Sequence, residues 1–172
     1  MSSMLKQHLE ENKKAILAEW RNIIFNSYPP DSVQFLKTER DQFNNPIGAC
    51  IKEVTEEIYD GLLANVTIDQ LFAALDRIIR IRSVQDYTPS QAIAFMNALK
   101  LAIRHNCEDI NSDENFKEFL DFEARIDRLT FLAFDIYMQC REKIYEIRVI
   151  DMKRQSAMLF QRSQNFEKEN EK

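Results

Sequence analysis

The sequence predicts an all-α protein, a bundle of about six helices closed by one long C-terminal helix, and three observations predict it. The chain of 172 residues holds only 2 glycines and 4 prolines, and without glycine to enter left-handed conformations the tight turns of a sheet protein are hard to build. Apolar residues recur at helical spacing between recognisable caps. From Asp113 to about Gln164 neither proline nor glycine interrupts the chain.

The elements follow in order. Leu5, Leu9, Ile16, Trp20, Ile23 and Ile24 lie close to a 3.6-residue period, so one amphipathic helix is expected over Leu5 to Phe25 and ends at Tyr28-Pro29-Pro30. Asp31 and Ser32 offer a fresh N-cap for a shorter helix through Phe35 and Leu36 to about Phe43. After Asn44-Asn45-Pro46 a third helix carries Ile47, Ile51, Val54, Ile58 and Leu62 inward, with Gly48 inside it as a packing contact. Thr67 with Gln70, and Thr88-Pro89-Ser90-Gln91, read as capping boxes that start helices four and five near Ile68 and Pro89. Helix four runs to about Ser83. Helix five buries Ile93, Met96, Leu99 and Ile103 and stops near Cys107, and Ser112 can cap the last helix.

That last helix, about 50 residues from Asp113, would extend about 75 Å at its rise per residue, against a radius of gyration of about 16 Å for a compact chain of this length. It is therefore expected to bend or to project as an arm, inside a single domain over 1–165 followed by a charged, fraying tail over 166–172. Its wheel is apolar on two sides. Leu129, Ile136, Cys140 and Ile147 fall on one face, and Phe131, Phe134, Met138 and Tyr145 fall nearly opposite. A helix apolar all round is buried all round, in its own core or against a second chain. A twofold homodimer is the commonest such arrangement, with Leu129, Ala133, Ile136, Tyr137, Cys140, Ile144 and Ile147 as its candidate interface. Tyr137, Ile144, Asp151 and Met158 recur every seven residues, but Asp151 and Arg154 spoil a strict coiled-coil seam.

Charge and composition narrow the function. Lys and Arg total 23 against 28 Asp and Glu, a formal charge of -5, which leaves no basic excess for tracking a phosphate backbone and disfavours nucleic acid. Three widely spaced cysteines, Cys50, Cys107 and Cys140, suit reduced thiols in a cytoplasm. The amino end lacks a signal peptide's apolar core, and no run is apolar enough to insert in a membrane. No glycine-rich phosphate loop, nucleophile elbow or zinc spacing is present, so no enzyme, metal or cofactor is expected. A haem reading would need a lone histidine such as His105 as axial ligand.

The densest polar stretch is DRIIRIRSVQDYTPSQ, Asp76 to Gln91. Within it Arg82 falls in the middle of an apolar stripe, where a guanidinium needs a carboxylate or several carbonyls to offset desolvation. Asp86 and Asp135 are its candidate partners in a structural ion pair, and an anion site is the alternative. Arg77, Arg82, Asp86, Tyr87 and Gln91 are the candidate ligand or signal residues, while Arg80 is read as a solvated partner of Asp76.

Three stretches, DQFNNPIG (Asp41 to Gly48), RIIRIRSVQDYTPSQA (Arg77 to Ala92) and AFDIYMQCREKIYEIRV (Ala133 to Val149), together resemble the N-terminal domain of RsbRD-type co-antagonists of the bacterial stressosome, over about Leu5 to Gln161. The resemblance implies a globin-like, non-haem sensory domain that dimerises and signals along its C-terminal helix, here without the sulfate-transporter and anti-sigma antagonist domain that follows it in related regulators. Implied partners are a protein carrying that antagonist domain or a switch kinase. Stand-alone members resembling this chain in sulfur-metabolising bacteria point to a second role, a soluble accessory protein of a membrane redox complex in sulfite metabolism. A haem or small-ligand sensor is the third.

Overall fold

The computed structural model describes residues 3–39, 41–107 and 113–170, and among them there is no strand. Seven α-helices follow one another: α1 (Ser3–Glu11), α2 (Lys13–Asn26), α3 (Pro30–Thr38), α4 (Pro46–Leu63), α5 (Phe72–Ser83), α6 (Pro89–Asn106) and α7 (Asp113–Asn170). A 3-10 turn, Ile68–Leu71, leads into α5. The chain divides into two units, Met1–Tyr137 and Met138–Lys172. The first is a bundle with its own core. Of the second, residues 138–170 are α-helical.

The core of the first unit is the inward stripe of each helix. Leu5, Leu9, Ile16, Trp20 and Ile24 are buried on α1 and α2, and Ile51, Val54, Ile58 and Leu62 on α4. The helix expected over Leu5 to Phe25 is broken once, at Asn12. There the side chain donates to the His8 carbonyl at 3.0 Å beside its own backbone amide at 3.1 Å, the local competition that makes asparagine unfavourable inside helices. Packing between elements is pinned by buried polar groups. Trp20 of α2 donates Nε1 to the Phe95 carbonyl of α6 at 2.6 Å and its ring stacks on that of Phe95, and Tyr59 of α4 donates to the Leu9 carbonyl at 2.9 Å.

The helix starts show how far local chemistry carries. α3 begins at Pro30, one residue before the expected cap at Asp31 and Ser32, with proline at the first turn needing no amide partner; it ends at Thr38 rather than Phe43. Its successor starts as expected at Pro46. Asn45 is buried and its side chain makes three bonds: Oδ1 accepts from the Gly48 amide at 2.8 Å, and Nδ2 donates to the carbonyls of Leu36 and Glu39 at 3.0 and 3.2 Å. A Cβ on Gly48 would overlap that side chain, so glycine here makes room for the cap that joins α3 to α4. At the other end of α4, Asn65 takes the left-handed conformation at φ 57°, and Val66 donates back to the Gly61 carbonyl at 3.0 Å, a left-handed helix stop.

Gln70 accepts from the Thr67 amide at 2.9 Å, and Gln91 accepts from the Thr88 amide at 3.0 Å while its own amide donates to Thr88 Oγ1 at 3.4 Å. The first of these boxes opens the 3-10 turn, so α5 proper begins four residues later than expected, at Phe72. The proposed cap Ser112 lies outside the described residues. α7 begins at Asp113 and is helical through Asn170.

Within the first unit α7 is tied to the bundle by charge at its flanks and by apolar contact between. Arg125 donates to the carbonyls of Leu62 and Val66 at 2.8 and 3.0 Å, satisfying the C-terminus of α4. Arg104 of α6 grips the buried Glu123 with two bonds of 2.8 Å. Lys100 pairs with Asp127 at 2.5 Å. Among the described residues no helix is long and apolar enough to cross a membrane.

Candidate signal site and interaction surface

The five residues singled out around the α5–α6 turn separate into two places. Arg77 is exposed on α5 and pairs with Glu57 and, at 3.8 Å, with Glu53 of α4. It belongs to the α4–α5 contact. Arg82, Asp86, Tyr87 and Gln91 come together where the C-terminus of α5, the turn 84–88 and the N-terminus of α6 meet the end of α2.

Arg82 is 1% exposed. Its Nη2 donates to the Gln91 carbonyl at 3.2 Å and to Ser27 Oγ at 3.3 Å, and its guanidinium carbon lies 4.3 Å from the centre of the Tyr87 ring, 5.7 Å from that of Phe95 and 5.8 Å from that of Tyr28. The expected ion pair is not made. Asp86 and Asp135 are both exposed, and neither pairs with it. Two nitrogens, Nε and Nη1, are buried without a hydrogen-bond partner, as are the Tyr28 hydroxyl and Gln85 Oε1. A buried guanidinium without a carboxylate is costly, by several kcal/mol, and here aromatic faces and the negative end of α5 offset only part of that cost. Burial pushes the Tyr28 phenol above its ordinary value, while the Arg82 charge pulls the other way.

Tyr87 is the hub of this network. Its hydroxyl donates to the Ser27 carbonyl of the α2 end at 2.9 Å, its ring covers Arg82, and its carbonyl accepts from the Tyr137 hydroxyl of α7 at 2.8 Å. Its ring also meets that of Tyr28 edge to face at 6.1 Å. Sequence reasoning missed Ser27 and Tyr28 and placed Tyr137 at a dimer interface, not in this network. They lie about 50 to 60 residues from Tyr87, and the one local signal was an aromatic residue immediately before Pro29-Pro30.

Beside this network an open cavity of about 850 Å³ lies between α3 and the turn. Phe35, Leu36, Ile47 and Pro29 form its apolar walls, Tyr28, Gln85 and Tyr87 line it as well, and its charged lining residues are Asp31 and Asp86. His105, the residue a haem would have needed, is exposed and pairs with Glu19 at 2.7 Å.

The faces of α7 resolve differently from the expected interface. Leu129, Ala133, Ile136 and Tyr137 are enclosed by the chain's own helices, each 2% exposed or less. They are core residues, because the inner face of α7 completes the bundle. Cys140 and Ile144 are half-buried and Ile147 is exposed. The outer face stays apolar and open: in the first unit Phe131 is 70% exposed and Phe134 is exposed too. In the second unit Tyr145, Val149, Met152 and Leu159 are exposed, and with Ser156 between them they follow the alternating four- and three-residue steps of a heptad seam.

Comparison with known proteins places the chain. A model of the RsbT co-antagonist protein rsbRD N-terminal domain matches residues 14–149. An uncharacterized protein of Archaeoglobus fulgidus is 32% identical over 106 residues, 58% of this chain and 64% of its own length, so the chain spans somewhat under two thirds of that relative. No solved structure matches. The family match runs from α2 to the middle of α7 and takes in both the Arg82 network and the inner face of α7, and by it the chain belongs to the RsbT co-antagonist protein rsbRD N-terminal domain family, a family of regulatory sensory domains and not of enzymes.

Proposed function

We propose that this chain is a non-enzymatic sensory and regulatory module of the stressosome-related kind, which pairs with a second copy of itself through the outer face of α7 and receives its signal at the α5–α6 turn. The observation that carries this reading is the two-sidedness of α7. Its inner face already fills the bundle, yet Phe131 and Phe134, and separately the seam Tyr145, Val149, Met152 and Leu159, remain apolar and exposed. Contiguous apolar surface of this kind marks an interaction site.

The signal route is short. Anything that holds the turn 84–88 differently changes the carbonyl to which Tyr137 is bonded, and Tyr137 is the last residue of the first unit. A ligand or partner acts through that link only as far as it binds two arrangements of the turn with different affinity. Arg82, Asp86, Tyr87 and Gln91 are the proposed signal residues; Arg77 is left to the α4–α5 contact.

Multi-angle light scattering across a range of concentration tests the pairing. Twice the chain mass at micromolar concentration is the expected result, falling to one chain mass in the double variant Tyr145→Glu, Met152→Glu with its helix content intact. A wild-type monomer at the highest concentration reached removes the reading.

A further inference from the structure

The cavity beside Arg82 has three kinds of wall, and their arrangement specifies a ligand. Behind its inner wall stands a cation: the Arg82 guanidinium does not line the cavity itself, but Tyr28 and Tyr87, which do, stand against it. Arg82 Nε and Nη1, Gln85 Oε1 and the hydroxyl of Tyr28, itself only 8% exposed, make no hydrogen bond of good geometry, although Tyr28 feels both Arg82 and Gln85. Along the cavity the surface is apolar, from Pro29, Phe35, Leu36 and Ile47. The acidic groups Asp31 and Asp86 are exposed and no basic side chain joins them in the lining.

We propose that this cavity binds a small zwitterion with an apolar side group, an apolar α-amino acid or a near analogue, with its carboxylate turned inward to Arg82 and Tyr28 and its ammonium group held outward by Asp86 and Asp31. Each monopole alone fits poorly. A plain carboxylate meets two carboxylates on its way in, and a plain ammonium ion leaves the buried guanidinium uncompensated and adds a second positive charge to it. The zwitterion satisfies both ends, and its apolar group takes the walls, the usual division of labour in small-ligand sites. For the carboxylate to reach Nε and Nη1, the wall side chains in front of Arg82, Tyr28 and Tyr87 among them, have to turn aside, and the Tyr28 hydroxyl supplies a further donor. A buried charge with two unpaired donors thereby gains a charge-assisted partner, which is stronger than a neutral hydrogen bond.

The site deepens the regulatory reading, since its wall residue Tyr87 is the one bonded to Tyr137, but binding is measured without reference to pairing. Failure of one reading therefore does not mimic failure of the other. Calorimetric titration of the full chain with phenylalanine, leucine, 3-phenylpropanoate and phenethylamine is the test. Phenylalanine or leucine binds, and removing the ammonium group or the carboxylate weakens binding by about tenfold or more. Asp86→Asn, a change at an exposed residue, abolishes the preference for phenylalanine over 3-phenylpropanoate. Arg82→Met abolishes the preference over phenethylamine and melts at or above the wild-type temperature, because an apolar side chain of similar length replaces an uncompensated charge. The proposal is overturned by no heat from either amino acid at millimolar concentration, by monopole analogues that bind as tightly as the zwitterion, or by binding unchanged in Asp86→Asn. Should Arg82→Met fail to fold, Tyr28→Phe takes its place, with a several-fold loss of phenylalanine affinity expected and an unchanged affinity counting against the site.

Discussion

At the scale of single residues, buried polar groups do more to specify this bundle than any one apolar contact. Asn45 holds the end of α3 and the start of α4 with one side chain, and Gly48 is the clearance it needs. Gly48→Ala is expected to destabilise the protein by about 1–2 kcal/mol, the loss of a cap with local overpacking, in spite of the better helix propensity of alanine. Chemical denaturation reads it, and a stabilised variant would show that the cap side chain has room to move. The Arg104–Glu123 pair is asymmetric, because Glu123 is buried while the arginine is more than half exposed. Arg104→Met leaves a buried carboxylate without its partner and is expected to cost about 2–3 kcal/mol, less than a fully enclosed pair because water reaches the arginine side. Glu123→Gln, which keeps a neutral acceptor, is expected to cost less. Burial pushes the Cys107 thiol above its ordinary range, so its alkylation in the native protein is expected to be slow and to accelerate on unfolding.

At the scale of elements, the sequence rules for helix starts are accurate wherever the capping residues act alone. The box Thr88–Gln91 and the proline starts of α4 and α6 are read directly from four or five residues. The α3 start and the break at Asn12 are not, since both depend on which of several adjacent hydrogen bonds the chain takes up. Thr88→Ala is expected to cost about 1 kcal/mol by denaturant titration. The same turn presents Arg82 and Tyr87, so its loosening is also expected to raise amide exchange in the turn 84–88. Tyr137→Phe isolates the link between the turn and α7. The fold keeps its ring contacts while one bond to the Tyr87 carbonyl is lost, at a cost of about 1 kcal/mol. Unchanged exchange protection at Tyr87 would separate α7 from the turn.

At the scale of the whole molecule, the long helix carries two apolar faces, of which its own chain covers one. The bundle of the first unit partners the inner face, as the burial of Leu129, Ala133, Ile136 and Tyr137 requires. Covering the outer seam of the second unit is what the proposed pairing does, and Glu142 and Ser156 at core positions of that seam keep it weak by heptad rules. The mass measured by light scattering is therefore expected to fall on dilution and not to stay fixed as in a leucine zipper. An indissociable dimer would mean that more than this seam is buried.

Composition, helical periodicity and capping residues were enough to determine an all-α chain, the position of most of its helices and the surplus of apolar surface on its last helix, because each depends on neighbours within about four residues along a helix, while the family came from the resemblance of three separate stretches. Only the tertiary structure decided which side of α7 is spent on the core, and that Arg82 faces three aromatic rings in place of a carboxylate. Both are settled by residues about 50 positions apart, Tyr28 with Arg82 and Tyr87 with Tyr137, whose approach is fixed by how whole helices pack and leaves no periodic trace in the chain.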